Sequence, residues 1–181
     1  NYNNLAGTGL SSGDRTVSYT VNDGANNSLI EMQTIQIVAT TFPTANVTPL
    51  VSLSELDSSY TEGDGIVVIN SSLTVHDANE LSIESAQIKV SYNYQNGEDI
   101  LSFSNTATLT GSWNASTGTL TISGSDTVAN YQLALQSVTY SNQAGDSPTS
   151  GERLVTYTVN DGAISSSPVS HVLNISAVND A

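Results

Sequence analysis

Few residues in this chain have the acid–base or nucleophilic character that catalysis near neutral pH requires. His76 and His171 are its two histidines, cysteine is absent, and neither histidine lies in a nucleophile motif. What the sequence holds in quantity is anionic oxygen. Its 17 carboxylates face three strong cations, Arg15, Lys89 and Arg153, for a formal net charge of −14. That balance repels phosphate backbones and anionic membrane surfaces, so nucleic acid and membrane insertion are poor readings. It attracts divalent cations, or it serves solubility alone. No G-x-x-x-x-G-K-[ST], G-x-G-x-x-G or calcium nonapeptide G-G-x-G-x-D occurs. Spacing leaves a carboxylate pair for glycoside hydrolysis open, but the aromatic surfaces of a sugar site are missing. Trp113, the one tryptophan, reads as packing, with ligand stacking as the alternative. No catalytic residue is assigned.

The elements that must position these groups repeat. Tyr157-Thr-Val-Asn-Asp-Gly162 also stands at Tyr19–Gly24, and RTVSYTVNDG matches RLVTYTVNDG at eight of ten positions, offset by 153 − 15 = 138 residues. The match reaches back to Tyr2 and Tyr140 and forward to Ala39 and Ala177, which marks a segment of a tandem array. In each copy alternating apolar positions (Val17, Tyr19, Val21; Val155, Tyr157, Val159) run into Asn-Asp-Gly, a strand entering a tight turn. Arg15 and Arg153 are each expected to pair with an acid on a neighbouring strand, the alternative being an anionic ligand.

At 181 residues the chain accommodates one complete domain and part of another. Residues 1–46 read as the end of a preceding repeat and 47–181 as a complete one, joined by the proline-containing, charge-free linker Thr40–Pro49. The first piece is expected to dock on the second or to borrow strands from another chain, because an isolated hairpin buries too little to offset chain entropy. In AQIKVSYNY, Ile88, Val90, Tyr92 and Tyr94 share one face; QNGED reads as a hairpin into ILSF, WNASTG as a turn, and YQLALQSVTY as a bulge or short helical turn. Strands every 8–12 residues predict an all-β fold, an antiparallel Greek-key β-sandwich of roughly eight to ten strands with no helix beyond about two turns. The expected core includes Ile88, Val90, Tyr92, Leu133, Leu135, Val155, Tyr157 and Val159. No apolar run approaches a membrane span, and because NYNNLAG reads as mid-repeat sequence, any targeting signal is expected outside these residues. Five N-x-[ST] triplets occur, at Asn26, Asn46, Asn70, Asn114 and Asn174. In so Asn/Ser/Thr-rich a chain that count is within chance and assigns no modification.

The order of elements in YTVNDGAISSSPVSHVLNISAVNDA, an Asp-Gly loop, a Ser/Pro-rich stretch, a strand and an Asn-Asp linker, resembles the end of a cadherin repeat. The nearer likeness is to the cadherin-like tandem repeats of large bacterial surface proteins, with a proteoglycan-type similarity around LALQSVTY. It covers residues 47–181, with 1–46 as a partial copy. The resemblance implies a cadherin/Ig-like extracellular array, often stiffened by calcium. Carried residue by residue, the metal ligands fall at Glu62, Asp77, Asn79, Asp161 and Asp180. Asp77, Asn79 and Asp161 are expected at the end facing residues 40–49, binding calcium weakly at about 10⁻⁴–10⁻³ M. Each has a plainer reading beside it: a turn acceptor for Asp161, a solvated loop acid for Glu62, an Asx-turn for Asp77 and Asn79, and an exposed loop residue rather than a weak ligand for His76. The function that follows is a non-enzymatic, secreted or cell-surface structural and adhesion repeat whose partners are neighbouring repeats or identical chains, with a cell-surface protein or glycan as possible ligand. The alternatives are a subunit of a self-assembled fibre or sheath completed by strand exchange and a carbohydrate-binding accessory module.

Overall fold

Period-two alternation becomes strand along most of the chain. The computed structural model describes residues 13–37 and 45–178, and the chain divides into two compact units, Asn1–Phe42 and Pro43–Ala181. In the first, β1 (Gly13–Tyr19) pairs antiparallel with β2 (Glu31–Ile37), Arg15 opposite Ile35. In the second, β3 (Leu50–Ser52), β4 (Asp57–Thr61), β5 (Val67–Val68), β6 (Thr74–His76) and β7 (Ser82–Tyr92) come first. Then follow β8 (Asp99–Ser102), β9 (Thr110–Asn114), β10 (Thr119–Thr127), helix α1 (Val128–Gln136), β11 (Thr139–Asn142), β12 (Gly151–Asn160) and β13 (Val169–Ser176).

The second unit is a β-sandwich. A six-stranded sheet, ordered β4-β13-β12-β7-β10-β9, shares one core with a three-stranded sheet, β5-β11-β8, and with the β3-β6 pair. All pairings are antiparallel except β4 with β13, where the first long strand and the last run side by side in the same direction. The eleven strands of this unit exceed the expected eight to ten because short pieces such as the two-residue β5 form their own pairings. β12 lies in the middle of its sheet, so Val155, Tyr157 and Val159 are fully buried, as are Ile88, Val90 and Leu135. Across the core the Tyr60 and Tyr140 rings meet edge-on at 5.1 Å. β12 and β13 repeat the register of β1 and β2: Arg153 stands opposite Leu173 as Arg15 does opposite Ile35. Among the described residues the hairpin pairs with no further strand, and Tyr19 and Val21, expected inward, are exposed, while Val17 and Ile35 are half-buried.

Other expectations fail in part. Tyr92 is exposed, because Leu154 pairs with Tyr92 and Val155 with Val90; Ser91 is the extra residue of a bulge, and one extra residue reverses the face of all that follow. Leu133 is exposed because its segment is α1, nine residues and about 2.5 turns long, which also exceeds the expected limit for any helix. Thr127 caps α1 by accepting Asn130 N–H at 3.1 Å, and the helix buries Tyr131, Ala134 and Leu135 at i, i+3 and i+4. QNGED turns through Gly97 at φ +91° but is no hairpin: β7 and β8 belong to different sheets, and the turn carries the chain across the sandwich. Arg153 does pair with an acid, Asp99, yet that acid is on β8 in the opposite sheet.

The Asp99–Arg153 pair is fully buried and fully satisfied. Arg153 Nε donates to Asp99 Oδ2 at 2.9 Å, and its Nη2 donates to the Thr149 carbonyl at 2.8 Å. Asp99 also accepts the Tyr140 hydroxyl at 2.6 Å and the Gln95 N–H at 2.7 Å. Burial, and then this hydrogen bond to Asp99, raise the Tyr140 phenol far above its ordinary pKa. Trp113 packs edge-on against Tyr94, centroids 6.2 Å apart, in agreement with a packing role.

Candidate functional site

The expected ligands sit in loops that secondary structure alone does not determine, so their geometry begins with the Asn-Asp-Gly turn. Asn160 Oδ1 accepts Gly162 N–H at 2.8 Å, and Asp161 Oδ1 accepts Ala163 and Ile164 N–H at 2.8 and 2.7 Å. Gly162 is at φ +101°, a region that favours glycine. Ser166 Oγ closes the loop by accepting Val159 N–H at 3.1 Å. The first copy repeats every one of these bonds. Asn22 Oδ1 accepts Gly24 N–H at 2.7 Å, Asp23 Oδ1 accepts Ala25 and Asn26 N–H at 2.9 Å, and Ser28 Oγ accepts Val21 N–H at 3.0 Å. Oδ1 of each aspartate is therefore a turn acceptor.

The second oxygen of Asp161 faces the segment that precedes β3. Asn46 Nδ2 donates to Asp161 Oδ2 at 2.9 Å, and Asn46 Oδ1 accepts Asn79 Nδ2 at 3.2 Å. Val47 N–H donates to Asn79 Oδ1 at 2.8 Å. Asp77 Oδ1 holds the β6–β7 loop by accepting Asn79 and Glu80 N–H at 3.1 and 3.0 Å. Asp77, Asn79 and Asp161 thus belong to one hydrogen-bonded network, and Asn46 is its hub. Burial pushes the Asp161 carboxyl up, but the N–H groups of Ile164 and Ala163 and the Asn46 amide outweigh it and hold its pKa below the ordinary value.

Calcium takes six to eight oxygens, several of them carboxylate. One observation suits a cation here: Asp77 Oδ2 is buried and has no hydrogen-bond partner. The rest of the donor set does not fit. Two side-chain amides, of Asn46 and Asn79, present N–H donors in this network, and Asp161 has both oxygens engaged. Among the described residues no three His, Asp or Glu side chains converge as a metal site would require.

Glu62 is at the other end of the sandwich, where β13 finishes. Its N–H donates to the Ser176 carbonyl at 2.9 Å, and its Oε2 accepts Val178 N–H at 2.8 Å. It lines a cleft of about 620 Å³ with Tyr60, Ile66, Asn142, Asp146 and Val178. Asp180 lies outside the described residues. Glu62 thus stands apart from the network of Asp77, Asn79 and Asp161, at the opposite end where the resemblance places it.

His76 is exposed. His171 is fully buried, with Nε2 2.8 Å from Ser58 Oγ and Nδ1 3.2 Å from both the Glu55 carbonyl and Asn70 Nδ2. A serine against a histidine resembles a nucleophile and its base, but this ring is sealed inside the fold, where it ties β13 to β4, to Glu55 just before β4 and to Asn70 just after β5. Burial lowers its pKa, with the Glu55 carbonyl opposing. A histidine kept neutral by folding stabilises fully above its unfolded pKa of about 6.5 and loses that contribution as pH falls below it. The melting temperature is expected to drop as pH is lowered from about 6.5, before the carboxylates titrate. In His171→Gln, which copies Gln33 at the matching position of the first repeat, calorimetry should show that part of the pH dependence flattened.

Sequence reasoning missed the bridging role of Asn46, which it named only as an N-x-[ST] triplet in a polar linker, and the pairing of Asp99, which stands 54 residues from Arg153 in the chain.

No family model matches the chain. It is 26% identical over 156 residues to Halomucin of Haloquadratum walsbyi, a match that takes in 83% of this chain and 2% of that protein's length. Among solved structures, an endo-fucoidan hydrolase from glycoside hydrolase family 107 aligns over 93% of this chain and 20% of its own, at 14% identity. Its TM-score of 0.28 carries no argument about fold or activity. Among the described residues no helix is long and apolar enough to cross a membrane. The chain is an all-β sandwich preceded by a hairpin of the same design, and it is similar to a small segment of Halomucin.

Proposed function

We propose that this chain is a structural, non-enzymatic repeat of an extracellular cell-surface protein, whose role is to space and stiffen. The observation that carries the reading is the duplicated hairpin: the same register and the same four loop hydrogen bonds recur 153 − 15 = 138 residues apart, as in a tandem array. The likeness to Halomucin and the net charge of −14, which favours a hydrated surface, support it. In this reading the clasp of Asn46 on Asp161 and Asn79 fixes the segment entering the complete repeat, so stiffness there rests on hydrogen bonds rather than on calcium. Its partners are neighbouring repeats of the same protein.

A second reading, a fibre subunit, has one observation in its favour. Among the described residues β1 and β2 pair only with each other, and Tyr19, Val21 and Met32 are exposed. Sedimentation over a wide concentration range separates the two. The spacer is expected to stay monomeric, with its sedimentation coefficient independent of concentration. Growth into polymers that Met32→Lys abolishes would replace it with the fibre.

A further inference from the structure

The five N-x-[ST] triplets are equivalent in sequence and unlike one another in the fold. Asn70 is 1% exposed, and its Nδ2 is held by the Glu55 carbonyl at 2.7 Å. Asn46 Nδ2 is engaged by Asp161, and Asn174 Nδ2 faces the Ser58 carbonyl at 3.5 Å within β13. Asn26 is exposed, but the hydroxyl of its triplet is committed elsewhere: Ser28 Oγ donates to the Leu29 carbonyl and accepts from Val21 N–H. Asn114 differs from all four. It stands exposed at the tip of the β9–β10 hairpin, and among the described residues its Nδ2 makes no hydrogen bond. Ser116 N–H and Oγ both donate to Asn114 Oδ1, at 3.0 and 2.7 Å. The turn is pinned from below by the Tyr94 hydroxyl on the Ala115 carbonyl at 2.5 Å.

We infer that Asn114 is the acceptor of an N-linked glycan in the folded chain. The hydroxyl of Ser116 on Oδ1 polarises the amide and leaves Nδ2 turned to solvent, so the triplet is held ready for an Asn-x-Ser/Thr-directed transferase. The donor is an oligosaccharide linked through C1 to a lipid pyrophosphate. Asn114 Nδ2 attacks C1; the N–C1 bond forms and the C1–O(phosphate) bond breaks. The lipid pyrophosphate leaves with the electron pair, and Nδ2 gives one proton to a base of the transferase. A glycan there projects from the hairpin tip into water and displaces no packed side chain, whereas one on Asn70 would open the core. The inference rests on the extracellular reading, because such donors are used outside the cytoplasm.

The test incubates the folded full chain with a purified single-subunit oligosaccharyl transferase and its lipid-linked donor, with a synthetic peptide of residues 112–119 confirming that the enzyme is active. Peptide mass spectrometry is expected to find one added glycan, on Asn114, lost in Asn114→Gln and in Ser116→Ala and kept in Asn26→Gln. Modification of Asn70 in the folded chain, preference for any triplet over Asn114, or an unmodified chain beside a modified peptide would overturn it. Surface labelling of the native protein is a separate readout. A chain that accepts the glycan at Asn114 in vitro but is never labelled at the surface overturns the extracellular reading and leaves the acceptor geometry standing.

Discussion

Asp99→Ala is expected to remove about 3–5 kcal/mol from the stability of the complete repeat, a large share of the roughly 5–15 kcal/mol typical of a domain. The loss does not measure the strength of the ion pair. Arg153 remains at 0% exposure with its charge uncompensated, and the Tyr140 hydroxyl and Gln95 N–H lose their acceptor with it. Removing both charges is a different perturbation, since well-packed apolar replacements of a buried pair are often neutral. The double variant Asp99→Leu, Arg153→Met should therefore recover much of the loss in urea unfolding. If the single variant unfolds at the wild-type urea midpoint, the pair does not hold the sheets together.

Tyr157→Ala is expected to cost about 3–5 kcal/mol, because it empties the centre of β12 between two sheets. Tyr19→Ala, at the matching position of the first copy, should leave the main unfolding transition nearly unchanged, since Tyr19 is 54% exposed where Tyr157 is 0%. The tyrosine also carries a penalty of its own. Its hydroxyl is buried without a hydrogen-bond partner, and burial raises the phenol's pKa well above the ordinary value. Tyr157→Phe should thus match or exceed the wild type, by up to about 1 kcal/mol. Equal losses in Tyr157→Ala and Tyr19→Ala would place the two tyrosines in equivalent cores and contradict the exposure difference.

These two residues also mark how far the sequence was legible. Val155, Tyr157 and Val159 could be read because β12 is central and straight, so period two and burial coincide. The same alternation failed at Tyr92, where the Ser91 bulge reverses the phase, and at Leu133, where a capped helix replaces the strand. The helix did leave a trace: Thr127 as a cap, then apolar Tyr131, Ala134 and Leu135 at helical spacing. The turn in QNGED was legible, but which sheet receives the next strand depends on contacts far away in the chain. For the site, Asp77, Asn79 and Asp161 were found through the resemblance to cadherin-like repeats, and hydrogen bonds do join them. The bridging role of Asn46 was not found, since an amide in a polar linker has no pattern until the fold places two loops beside it.

On the proposed reading, side-chain amides fasten this end of the repeat in place of a metal. The melting temperature of the whole chain, measured in EDTA and in millimolar calcium for the wild type, Asn46→Ala and Asp77→Ala, tests it most directly. The predicted result is a wild-type melting temperature indifferent to calcium and lowered in Asn46→Ala, in line with a loss of about 1 kcal/mol for the two hydrogen bonds of its amide. A wild-type melting temperature that rises with calcium, and no longer does so in Asp77→Ala, would contradict it and return the loops to the metal-binding role that their resemblance implies.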